Sequence, residues 1–285
     1  MGFWKMAAGG AVILGLLENF RELHGFRTTE YDIRSEKMRG EARVLFLSDL
    51  HNHRYGFRNR RLVEAVRQAK PDLILIGGDM LVGKEEQSFA PAVEFLRQIT
   101  GEAPVYYANG NHEQRMKEQQ DRFGTDYLIY KRRLEEIGVT FLENETVKIP
   151  LGETVVRLTG LEIPLEDYTR FHQKELRPEE IRERIGDCDR EAFTILLAHN
   201  PSYMKEYLAW GADLILSGHL HGGMVRIPGI GGVIGPDFVL FPKYSGEMRR
   251  VGDQTVIVSK GLGTHTIHIR LFNPAEVVVL SLNNC

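Results

Sequence analysis

The sequence predicts an α/β fold built on a buried, largely parallel sheet. Three observations carry this expectation. Short apolar runs of strand length alternate with segments whose apolar residues recur at helical spacing. Each run ends in a polar, glycine-rich turn, which is the pattern of βαβ units. The 285 residues, 42% hydrophobic and 26% charged, suffice for a large buried core.

The chain opens on its one compositional oddity. Met6–Leu17 is a run of twelve residues without a charge, between Lys5 and Glu18. A membrane-crossing helix needs roughly 20 apolar residues, so the run is short for one. Its length suits a signal-peptide core, but no convincing A-x-A cleavage site follows. Three readings stay open: a short membrane anchor, an uncleaved signal, and a helix packed on the domain. Residues 1–20 are expected to be anchor or signal-like, making the protein membrane-associated or exported, on a side that the flanking charges do not settle. Residues 21–42 read as a connector, with an edge strand around Thr28–Ile33.

The expected domain runs from 43 to 285. Its first strand is Arg43–Ser48, and an amphipathic helix follows at Asn59–Ala69, with Leu62, Ala65, Val66 and Ala69 in phase. Leu73–Ile76 is the second strand; a helix with Ala92, Phe95, Leu96 and Ile99 on one face leads to a third at Val105–Ala108. Tyr127–Ile137 is the next helix, closed by Gly138. Val139–Leu142, Thr146–Ile149 and Val155–Leu161 read as a meander. Residues 162–190, charged and poor in branched apolar residues, read as a surface insertion, a helical lid being one form of it. Phe193–Ala198 and Leu214–Ser217 are apolar strands around a short helix at Tyr203–Ala209, and Val256–Ser259 and Glu276–Leu282 are strand-like.

Charge and cysteine content exclude some function classes. A formal net charge of −3 does not suit a protein that coats nucleic acid. Cys188 and Cys285 are far apart and form no C-x-x-C unit, so neither a disulfide framework nor a thiolate metal site is indicated.

The chemistry gathers at strand ends. Five apolar strands end in metal-binding side chains: Asp49 and His51; Asp79; Asn111 and His112; His199; His219 and His221. Asp49 and His51 stand two residues apart, where strand alternation would point them the same way. Each block alone suits a turn, a cap or a solvated loop, but five such coincidences are much less expected than one site. Imidazole and carboxylate without thiolate suit manganese, iron or zinc. A single tetrahedral ion would leave about three of these side chains without a role, whereas two ions sharing a carboxylate use the set.

In that order the blocks resemble the calcineurin-like metallophosphoesterases: Asp49-Leu-His51, Gly78-Asp79, Gly110-Asn111-His112-Glu113, His199 and Gly218-His219-Leu220-His221. The longer stretches Gly218–Pro228, Phe241–Tyr244 and Ser259–Gly263 resemble the YkuE/YaeI-like bacterial branch, and the likeness covers roughly residues 43–282. The resemblance implies a four-layer α/β/β/α sandwich of two mixed sheets flanked by helices. It implies two divalent metal ions, one held by Asp49, His51 and His221 and the other by Asn111, His199 and His219, with Asp79 bridging. His112 would face the substrate phosphate, either protonating the leaving oxygen or hydrogen-bonding a phosphoryl oxygen. Glu113 would hold the His112 loop or be solvated.

The expected activity is hydrolysis of a phosphodiester, pyrophosphate or phosphomonoester by a metal-bridging hydroxide at a membrane surface. The alternatives are a lipid-linked pyrophosphatase acting on substrates such as UDP-diacylglucosamine, and a non-catalytic metal-binding scaffold. His53 reads as a loop residue at the mouth of the site. Arg54 and Arg58 are candidates for a second phosphate. The glycine-rich stretch from Pro228 to Pro236 is a candidate apolar rim for a lipid tail.

Overall fold

The computed structural model describes residues 2–168, 176–227, 229–235, 239–264 and 267–285; of residues 2–8 and 11 it describes the backbone alone. The centre of the expected insertion, residues 169–175, lies outside the described residues, as do Pro228 and Pro236 of the glycine-rich stretch.

The helices are α1 (Gly2–His24), α2 (Arg60–Ala69), α3 (Ala90–Ile99), α4 (Asn111–Glu118), α5 (Gln120–Phe123), α6 (Asp126–Glu135), α7 (Pro178–Ile185) and α8 (Met204–Trp210). The strands are β1 (Phe26–Arg34), β2 (Ala42–Leu47), β3 (Leu73–Ile76), β4 (Val105–Tyr107), β5 (Val139–Phe141), β6 (Glu145–Leu151), β7 (Thr154–Leu161), β8 (Thr194–Ala198), β9 (Leu214–Ser217), β10 (Arg226–Ile227), β11 (Gly231–Gly232), β12 (Glu247–Val251), β13 (Gln254–Val258) and β14 (Ala275–Asn283). One six-stranded sheet has the order β1-β14-β2-β3-β4-β5, the other β12-β13-β9-β8-β7-β6. Both are mixed: β14 runs antiparallel to β2, β6 to β7 and β12 to β13, while the central strands are parallel.

Period-two alternation sorts the side chains into layers. Leu45, Leu47, Ile74 and Ile76 pack against Leu62, Val66, Phe95 and Leu96 of α2 and α3. Their neighbours Val44, Phe46, Leu73 and Leu75 face the second sheet, meeting Leu158, Ile195, Leu197 and Leu216. That sheet's other face, with Leu196, Ile215 and Val258, is covered by Ile181 of α7 and Tyr207 and Trp210 of α8. The layers are therefore helix, sheet, sheet and helix, the four-layer sandwich expected, and strands buried on both faces explain the unbroken apolar runs.

Two local readings need correction. The expected meander does not form as one unit. Val139–Phe141 pairs parallel with β4 at the edge of the first sheet, and only β6 and β7 form a hairpin, in the second. The physical reason is that α6 is a crossover helix and returns the chain beside β4, before it passes to the other sheet. The polar stretch after the third strand, whose Asn111-His112-Glu113 is expected in a turn, instead opens helix α4 (Asn111–Glu118). The edge strand expected around Thr28–Ile33 forms as β1, paired in parallel with β14.

Helix α1 docks by its C-terminal half. Asn19 Oδ1 accepts the Arg270 N–H at 2.7 Å, Arg61 donates to His24 O at 3.0 Å, and Glu22 is buried. Val12, Ile13, Leu14, Leu16, Leu17 and Phe20 of the same helix are exposed. Among the described residues no helix is long and apolar enough to cross a membrane.

Candidate metal centre

Each core strand runs into the site through a turn that its sequence dictates. Asp49, His51, Asp79, His219 and His221 all have positive φ, between 47° and 69°. Asp and His enter that region more readily than most residues, yet strain there is of order 1–3 kcal/mol each. Five strained side chains at one point are offset by what they do together. They also revise the geometry expected for the first block: Asp49 and His51 converge because the chain curls left-handed after β2, not because a strand alternates. The curl is pinned by Asp49 N–H to Gly78 O at 2.9 Å and His51 N–H to Asp79 O at 3.0 Å.

Glycine permits the close packing of these turns. A Cβ on Gly218 would lie 2.3 Å from Asp49 Oδ2, and one on Gly110 the same distance from Asp79 Oδ1. Gly218→Ala is therefore expected to displace the Asp49 carboxylate, costing about 1–3 kcal/mol of stability and weakening Mn²⁺ binding. Thermal denaturation and a Mn²⁺ titration of the same variant check both effects.

The structure brings all seven expected ligand side chains, and His112, into one pocket. Asp49, His51 and His221 form one group, Asp79, His199 and His219 another, and His51, Asp79 and His112 a third; within each, the ligating atoms lie within 4.8 Å of one another. His51 Nε2 and His221 Nε2 are 3.2 Å apart, and His199 Nε2 is 3.2 Å from Asp79 Oδ2. Asn111 Oδ1 stands 2.8 Å from His219 Nδ1. Backbone carbonyls orient two of the rings: Gly77 O lies 2.6 Å from His199 Nδ1, and Gly263 O lies 3.0 Å from His221 Nδ1. Bonds of this kind put the proton on Nδ1 and turn the Nε2 lone pair inward, as a metal-ligating histidine requires.

The electrostatics fit a cation. Burial alone would raise the Asp79 carboxyl, but the His199, His112 and His51 imidazoles hold it well below the usual carboxylate range. Burial pushes Asp49 up to about 6, with the Asp79 charge adding to it. His199 moves the other way, raised to about 10 because Asp79 and Asp49 together outweigh its burial. A pocket with two buried carboxylates holds positive charge strongly, and imidazole nitrogens with carboxylate oxygens match the ligand taste of first-row divalent metals. The residues present thus fit two ions.

Glu113 is resolved in favour of a structural role. Fully buried, it accepts N–H bonds from Asp79 (2.8 Å), Met80 (3.0 Å) and Gly110 (3.0 Å) and the Tyr107 hydroxyl (2.6 Å). One carboxylate therefore ties the Asp79 turn to the start of α4. Burial and the Asp79 charge push it up to about 7. His112, one residue earlier, accepts the Gly83 N–H at Nδ1 (2.8 Å), while its own N–H bonds Asp79 Oδ1 at 2.8 Å.

Other expectations fall outside the pocket or were missed. His53 packs edge-on against Tyr55 and belongs to none of the three groups; burial, with His24 and Arg270 nearby, lowers it to about 4. Arg58 is ion-paired with Glu94, and Arg54 is exposed. Tyr168 was not anticipated. Its ring lies 5.3 Å from that of His219 and 6.2 Å from that of His199, so the segment read as an insertion walls the site.

Known proteins carry the same pattern. Over 299 residues the chain is 25% identical to the uncharacterized metallophosphoesterase YkuE of Bacillus subtilis, spanning 99% of this chain and 96% of that protein. Phosphodiesterase YaeI of Escherichia coli is 26% identical over 243 residues, 84% of this chain and 82% of that one. The structure of the sulfate thiohydrolase SoxB of Thermus thermophilus aligns with a TM-score of 0.50 at 16% identity, over 82% of this chain and 53% of that chain, a likeness of fold. The family profile of the calcineurin-like phosphoesterases matches residues 42–223, from the start of β2 to just past His221, and so takes in every strand end that feeds the pocket. The chain belongs to that family, metal-dependent phosphoesterases that bind two divalent ions.

Proposed function

We propose that the chain hydrolyses a phosphodiester, pyrophosphate or phosphomonoester at a membrane surface. The observation that carries the reading is the pair of ligand groups, Asp49/His51/His221 and Asp79/His199/His219, joined where His51 Nε2 stands 3.8 Å from Asp79 Oδ2. Asp49, His51 and His221 would hold one ion, Asn111, His199 and His219 the other, and Asp79 would be shared. When bound, two divalent ions supply Lewis acidity toward a phosphoryl oxygen and lower the pKa of water. The chain's own part is to fix the ligands, to exclude water behind Tyr168, and to present His112. Because His112 Nδ1 accepts the Gly83 N–H, the proton of the neutral ring sits on Nε2. Giving that proton away would leave an imidazolate. His112 is therefore best read as a hydrogen-bond donor to a phosphoryl oxygen, not as the acid for the leaving group. A non-catalytic scaffold has no use for so firmly aimed a histidine.

The membrane part of the reading rests on exposed apolar side chains. Those of α1 are followed, across the Asn19–Arg270 contact, by exposed Ile269 and Phe272, and then by Ile227, Ile230, Leu240 and Phe241 around the β10–β11 hairpin. Such residues gain about 1.5–3 kcal/mol each on full burial, which insertion into a bilayer interface would supply. A groove of ≈ 200 Å³ is lined by Leu220, which separates His219 from His221 in sequence, and by Pro201, Val239, Pro242, Lys243 and Tyr244. It favours the second reading, a lipid-linked pyrophosphate with its tail in the groove. Comparing a phosphodiester, a monoester and a lipid pyrophosphate as substrates of the Mn²⁺-loaded protein ranks the classes, and no preference for the lipid sinks the second reading. Removal of residues 1–20 is expected to release the protein from membranes on fractionation; an unchanged distribution contradicts the anchor.

A further inference from the structure

The loop after β13 passes directly behind Asp49 and His221. Leu262 N–H bonds Ser48 O at 3.1 Å, and Gly263 N–H bonds Asp49 O at 2.6 Å. Gly261, at φ +68°, leaves so little room that a Cβ there would lie 2.7 Å from Asp49 Cβ and 3.2 Å from His221 Nδ1. The loop's carbonyls turn the other way and converge on one guanidinium. Arg270 Nη2 donates to Lys260 O (2.8 Å), Gly261 O (3.3 Å) and Gly263 O (2.8 Å), and its Nη1 donates to Asn273 O (3.3 Å).

Arg270 is only 1% exposed. A buried cation costs several kcal/mol unless its donors are satisfied, so carbonyls gathered around one are a specific arrangement. Gly263 O takes two partners: the Arg270 guanidinium and, at 3.0 Å, His221 Nδ1. On the far side Asn273 Nδ2 donates to His221 O at 2.7 Å, fixing the backbone of the same histidine.

We infer that Arg270 is a positioning residue for the ion held by Asp49, His51 and His221. It locks the Gly263 carbonyl, which sets the tautomer and tilt of His221 and directs Nε2 toward His51 and Asp49. Groups that orient a ligating histidine from behind are worth about 10–100-fold in metal affinity. The inference rests on the two-ion reading above, and only this half of the centre depends on Arg270, because His199 takes its orientation from Gly77.

The test is a Mn²⁺ titration of the metal-free full-length protein by calorimetry, with electron paramagnetic resonance of the same samples. Wild type is expected to bind two ions and give the signal of a coupled pair. Arg270→Met is expected to keep one ion at wild-type affinity, to bind the other about 10–100-fold more weakly, and to show an isolated Mn²⁺ signal at matched loading. Arg270→Lys keeps the charge and the stem but reaches fewer carbonyls, so it should fall between; if Arg270→Met does not fold, Arg270→Lys decides. Both ions bound as in wild type overturn the inference, and so does an equal loss at both sites, which marks a general role in the fold. Fewer than two ions in wild type overturn the metal-centre reading itself.

Discussion

Alanine at position 112 is expected to leave ion binding intact and to lower kcat toward a phosphodiester about 10²–10³-fold, the usual cost of one preorganised donor to a developing oxyanion. The residue is held at ring and backbone: Gly83 N–H bonds the ring at Nδ1, the His112 backbone N–H bonds Asp79 Oδ1, and Glu113 ties the start of α4 to the Asp79 turn. None of these anchors needs the imidazole to ligate. A donor role also predicts a particular pattern of rescue. His112→Gln, whose amide can donate, should recover part of the rate, and the loss should not grow as the leaving group becomes more basic. Steady-state kinetics with a series of aryl phosphodiesters checks this; a loss that climbs steeply with leaving-group basicity would make His112 the acid instead.

Asp79→Asn is expected to release metal, with activity lost in step. Asp79 is the carboxylate common to two ligand groups, with Oδ2 at 3.2 Å from His199, 3.8 Å from His51 and 4.0 Å from His112. An amide in its place removes the charge that the two ions would share on the proposed reading and sets an N–H₂ among imidazoles. The affinity loss should exceed the ~10–100-fold that a supporting contact costs. Metal analysis of the variant after gel filtration measures it directly. Retention of both ions would remove Asp79 from the shared position.

The core strands and the ligand blocks were legible because both are written locally. Leu73–Ile76 is an apolar run with glycine after it, and its burial on both faces follows from sequence alone. Asp79, His199 and His221 announce themselves by chemistry at strand ends. What could not be read was how the blocks converge. The left-handed turns at Asp49, His51, Asp79, His219 and His221 are tertiary compromises, and their residue types only permit them. The α4 helix escaped notice because its polar sequence carries no apolar stripe, although Glu113 at its third position is a capping signal in hindsight. β5 was misassigned because strand pairing is a long-range choice that a three-residue run does not encode. Tyr168 stands in a charged segment with nothing to mark it, and the sequence around Arg270 carries no sign of the carbonyls that gather on its guanidinium.

The most direct measurement is the metal content of the purified chain taken together with its turnover. The protein is stripped with a chelator, reloaded stepwise with Mn²⁺, and assayed at each step on a phosphodiester. The account predicts two ions per chain at saturation and hydrolysis that is absent in the stripped protein and returns with loading. Hydrolysis that survives removal of the metal, or a chain that saturates with no bound ion, would contradict it.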